Sequence, residues 1–88
     1  MHRELGACEQ ELAALKITAP EIHRELQARF ERVMHAASNY SGVRDRVNSD
    51  TRATADAFYE YETSVVCSRV RQETLEALTT LPGAEHVG

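Results

Sequence analysis

Ile17-Thr18-Ala19-Pro20-Glu21-Ile22 decides how the 88-residue chain is divided. Thr18 stands three residues before Glu21, the spacing of a capping box, in which hydroxyl and carboxylate each satisfy a free amide at a helix start. Ile17 and Ile22 flank that cap as a hydrophobic staple would. Pro20 falls in the first turn, where its missing amide has no helical partner to lose. The stretch therefore predicts the start of a helix, or a kink at Pro20 in one longer arm.

Outward from Pro20, apolar residues recur at helical spacing on both sides. Leu5, Cys8, Leu12 and Leu15 precede it, spaced three, four and three, with Glu4, Glu9, Gln10 and Glu11 on other faces. Carried through the cap, the same seven-residue frame reaches Ala19, Ile22, Leu26, Arg29, Val33, Ala36 and Tyr40, with Phe30 beside the one charged position. That continuity predicts two nearly collinear helices forming a kinked arm. Ser41-Gly42 offers a left-handed helix end. The polar segment 41–50 reads as the turn of a hairpin and closes on Asn48-Ser49-Asp50, three good N-cap residues.

The third segment, about 50–81, is ambiguous. Ala55, Phe58, Tyr59, Val65, Val66, Val70, Ala77, Leu78 and Leu81 gather on one broad helical face, which Glu62, Arg69 and Glu73 interrupt. Residues 57–67 also alternate as a half-buried strand does, through Tyr59, Tyr61, Thr63, Val65 and Cys67. Helix is the better reading, because no second strand with turn chemistry exists to pair with it. Leu81-Pro82-Gly83 stops the element, and 82–88 reads as a loose tail.

The expected fold is thus all-α: a helical hairpin or three-helix unit, its first arm broken or kinked at Pro20, in a single domain over 1–81. Helices are expected at about 2–17, 19–40 and 50–81. A chain this short buries only about 60–65% of its unfolded surface, and it has no Trp and five Phe or Tyr. Two long helices leave an apolar stripe open, so completion of a four-helix-type bundle by oligomerisation is expected.

Composition narrows the function. The net charge is -4, with 5 basic and 6 acidic residues over 1–39 and 5 basic and 8 acidic over 40–88. Phosphate affinity rests on Lys and Arg, so neither nucleic acid nor an anionic membrane is an expected partner. Arg44, Arg46 and Arg52 are interspersed with Asp45 and Asp50 and read as a solvated connection. No apolar run approaches the roughly 20 residues of a membrane span. Met-His-Arg-Glu-Leu does not open like a signal peptide, and a cytoplasmic location is expected. Cys8 and Cys67 are too few for a disulfide scaffold and read as buried free thiols.

Catalytic and ligand motifs are weak throughout. His2, His23, His35 and His86 are candidate ligands, but Glu31 and His35, one turn apart, have no second pair to complete a metal site. Cys67 has no base placed near it and sits among Val65, Val66 and Val70. Four scattered glycines make no phosphate loop. The connection is too long and the following helix too acidic for a DNA-binding helix-turn-helix.

Tyr40-Ser41-Gly42 between two amphipathic helices resembles the Trp-x-Gly turn of the small helical hairpins exported by bacterial type VII secretion. Tyr stands in place of Trp, Pro20 interrupts the first arm, and the family's C-terminal Tyr-x-x-x-Asp/Glu signal is matched only by Phe58 to Glu62. The resemblance implies a secreted helical-hairpin protein.

The expected function is a non-enzymatic protein–protein interaction module, a small subunit, adaptor or chaperone-like protein, with no catalytic residue, cofactor or metal. Its expected partner is a second copy or another helical protein. The expected interface is Leu12, Leu15, Ile22, Leu26, Phe30 and Val33 on the first arm, with Phe58, Val65, Val66 and Val70 on the second. An alternative is a small acidic inhibitor or regulator presenting Asp56, Glu60, Glu62 and the nearby tyrosines to a basic partner.

Overall fold

A computed structural model describes residues 2–81, with side chains from Leu5 onward. The chain forms α1 (His2–Thr18), α2 (Pro20–Val43), a short 3-10 turn (Arg44–Arg46) and α3 (Ser49–Thr79). It is all-helical among the described residues. The strand alternative for 57–67 is replaced by uninterrupted helix. The expected tail over 82–88 lies outside the described residues.

Helix α1 ends because Pro20 acts on the residue before it. The proline ring crowds that residue out of the α region, and Ala19 sits at φ -152° and ψ 73°. No side chain caps α2. Thr18 does not form the expected capping box; its hydroxyl donates instead to the carbonyl of Ala14 at 3.3 Å. Ile17 is 85% exposed, so the staple is absent as well. Pro20 occupies the first turn as its chemistry allows, and Glu21 places a carboxylate beside the positive end of the helix dipole.

The break reverses the chain, and the collinear kinked arm is overturned. Across the α2/α3 hairpin the Tyr40 hydroxyl meets Asp56. The same antiparallel register sets Phe30 level with Val66, Leu26 with Val70 and Ala19 with Ala77. Cys8 is bonded to Cys67, far back along α3 from Ala77. A collinear α1 would carry Cys8 roughly 16 Å beyond Ala19 in the opposite direction. Helix α1 therefore runs antiparallel to α2 and parallel to α3, and it packs on both. The body measures 57 × 20 × 20 Å.

This reversal closes the apolar stripe within one chain. Cys8, Leu12, Leu15, Leu26, Phe30, Val66 and Val70 form one buried cluster, flanked by Leu5, Ala19, Ile22, Met34, Cys67 and Ala77. Thr74 is buried among them and donates its hydroxyl to the Val70 carbonyl at 2.8 Å. The frame shifts by one residue after Leu26: Phe30, not Arg29, enters the core. The two cysteines are not free thiols. They form a disulfide across a sequence separation of 59, with Cα atoms 5.4 Å apart.

The turn also differs from expectation. Ser41-Gly42 is helical, α2 continues to Val43, and Gly42 has no left-handed backbone to supply. The Trp-x-Gly likeness therefore falls inside a helix, before the turn. Chain reversal is made by Arg44–Arg46 and an extended Val47. Asn48 then caps α3, its side chain accepting from the Thr51 amide at 3.0 Å.

Candidate functional site

The candidate residues of the sequence analysis lie apart from one another among the described residues. Glu31 and His35 are both exposed, and Glu31 accepts from Gln27 at 3.0 Å. Among the described residues no cluster of three His, Cys, Asp or Glu could hold a metal ion. The side chain of His2, and all of His86, lie outside the described residues. Cys67 is spent in the bridge to Cys8 and is no nucleophile.

Polar organisation concentrates at the hairpin turn. Arg44 grips Asp56 through two bonds, Nε to Oδ1 at 3.0 Å and Nη2 to Oδ2 at 2.6 Å. The Tyr40 hydroxyl donates to Asp56 Oδ1 at 2.8 Å and lies 3.1 Å from the Arg52 carbonyl. Arg52 donates from Nε to the Arg44 carbonyl at 3.2 Å and from Nη2 to the Val47 carbonyl at 3.0 Å. Two of the three arginines expected in solvent thus lace the turn together. The hydrogen bonds from Arg44 and then Tyr40 hold the Asp56 carboxyl down at about 2. Partial burial, followed by the bond to Asp56, pushes the Tyr40 phenol up. Tyr40 stacks on Tyr59 at 5.6 Å, and Phe58 meets Tyr59 edge-on at 5.0 Å.

This arrangement consumes Asp56, so the acidic edge proposed for a basic partner has lost one member. Glu62 is half-buried beside Arg29 and Arg32 in a groove between α2 and α3, while Glu60 is exposed. The three carboxylates do not converge.

The expected interface residues divide into two groups. Leu12, Leu15, Leu26, Phe30, Val66 and Val70 are interior, and Ile22 packs at their margin. Val33 lines the α2/α3 groove with Ala36, Phe58 and Tyr59. Val65 turns elsewhere, onto the outer side of α3, and Phe58 lies at the edge between that side and the α2 groove. There Phe58 is 53% exposed, Tyr61 66% and Leu75 52%. With Val65, Ser68 and Gln72 they form a continuous line, and Tyr61, Val65, Ser68 and Gln72 border a shallow groove of about 340 Å³. The sequence signal for this line was the spacing 58, 61, 65, 68, 72 and 75, hidden because it interleaves with the inner stripe.

Residues 2–81 match the YuaE family. The chain belongs to the YuaE family. No curated protein and no solved structure matches it. In this YuaE family member the matched span covers all three helices and both organised regions, the bridged core and the laced turn. No helix among the described residues is long and apolar enough to cross a membrane.

Proposed function

We propose that this YuaE family chain is a non-enzymatic helical interaction module, and that its working surface is the outer side of α3. The observation that supports this reading is the exposure of Phe58, Tyr61 and Leu75 at helical spacing on one face. The buried cluster forms without them, and exposed large apolar side chains along an uncharged line on a small body mark a surface for another protein. The expected interface residues that are buried in the core serve folding; Phe58 and Val65 serve binding. The Cys8–Cys67 bridge favours a site of action where thiols are oxidised over the reducing cytoplasm.

The test is a photo-crosslinking residue placed at Tyr61, with a control at exposed Glu21 on α2. Irradiation in cells should give a covalent protein adduct from position 61 and none from position 21. Absence of an adduct at 61, or equal labelling at both positions, would sink the reading.

A further inference from the structure

Helix α3 carries two uncharged stripes on opposed sides. At about 100° per residue, Thr63, Val66, Val70 and Thr74 point inward, where they are buried. Tyr61, Val65, Gln72 and Leu75 lie on the other side, with Phe58 at its edge toward α2 and Ser68 at its edge toward α1. The second set steps by three and four residues through more than two heptads and contains no charge. That is the pattern of a coiled-coil seam, and within one chain Val65 is half-buried while the other five stay exposed.

We propose that the outer face of α3 pairs antiparallel with the same face of a second copy of this chain, about a two-fold axis between Val65 and Ser68. The inference rests on the interaction-module reading and names its partner. The stripe is complementary to its own reverse. Phe58 then faces Leu75, Tyr61 faces Gln72, and Val65 faces Ser68, a larger side chain against a smaller one in each of the last two layers. The flanking charges select this register. Glu62 of one copy lies opposite Arg69 of the other, and the two-fold axis makes the pair twice. A slip of one heptad in one direction sets Glu62 against Glu76 and Arg69 against Arg69. A slip in the other sets Glu62 against Glu62. Like charges opposed in a helix seam disfavour both alternatives.

The groups needed are available. Arg69 uses Nε on Glu73 of its own helix at 2.9 Å, with its side chain 40% exposed and both Nη nitrogens left to donate. Glu62 borders the α2 groove with Arg29 and Arg32 but forms no ion pair with either. An isologous contact of this kind closes at two copies.

Sedimentation equilibrium of the full, oxidised chain tests the pairing. A monomer–dimer equilibrium is expected, and Val65→Glu should abolish it while leaving the helical circular dichroism intact. Glu62→Arg and Arg69→Glu should each weaken the dimer about tenfold or more. An equimolar mixture of these two variants should regain wild-type affinity, because every flanking pair is then opposite in sign. A chain that stays monomeric at all concentrations overturns the proposal, as does a dimer indifferent to Val65→Glu. Failure of the mixture to recover overturns the antiparallel register. A monomer whose position 61 still crosslinks to a different protein removes the self-pairing and leaves the interaction module standing.

Discussion

The two ends of this molecule are held together by different physics. At one end three helices surround an apolar cluster, and every buried residue among those described lies there: between Glu31 and Glu62 no side chain is buried. At the other end, beyond the reach of α1, only α2 and α3 remain. Two helices cannot enclose a core, so that end relies on Arg44, Asp56, Tyr40 and Arg52 and on the stack of Tyr40 with Tyr59. Burial is non-directional and tolerates imprecise placement. Hydrogen bonds at the turn are directional, and they fix the register of the hairpin where packing cannot.

The contrast is broken most severely at the bridged end. Leu26 is 1% exposed, and Leu26→Asp places an unpaired carboxylate in the cluster, a change of the class that exceeds about 4 kcal/mol. The variant should lose its cooperative thermal transition by circular dichroism, whatever its state of association. Replacing both Cys8 and Cys67 by Ser is the next largest step, with a loss of about 2–4 kcal/mol expected by urea titration. Hydrogen exchange should then rise along α1 while the turn amides near Thr51 keep their protection. Equal loss at both ends would show that the two regions are one cooperative unit.

The smallest effect sharpens the comparison from the other side. Asp56 is depressed in the folded chain, so the stability it lends is present above the usual carboxylate range and is lost as pH falls through about 2. Asp56→Asn should flatten the dependence of Tm on pH between about 4 and 2. An unchanged acid limb would mean that the exposed pair is silent in solution, as many surface pairs are.

What could be read from the sequence tracks the range of each interaction. Helix periodicity, the interruption at Pro20 and the Asn48 cap are local, and the structure places them within a few residues of the expected positions. The capping box failed because Thr18 had a competing local acceptor, the Ala14 carbonyl, within its own helix. The disulfide was illegible without the direction of α1, since a continuous seven-residue frame runs through a reversal as readily as through a kink. Arg44 and Asp56 are twelve residues apart, and their pairing depends on hairpin register that no local pattern encodes. Helix α3 misled for a different reason. Glu62, Arg69 and Glu73 lie between two apolar stripes, so two clean faces read as one interrupted face. The strand-like alternation dissolves in the same way, with Thr63 turned inward and Tyr61 and Val65 turned outward.

The bridge between Cys8 and Cys67 has one more consequence. It closes a covalent ring that contains α1 from Cys8 onward, all of α2, the turn and more than half of α3. A protease that cuts once in the exposed segment around Asp45 and Arg46 would open that ring without releasing either piece. Both halves would remain tied and packed, and the cut would show on a denaturing gel only after reduction.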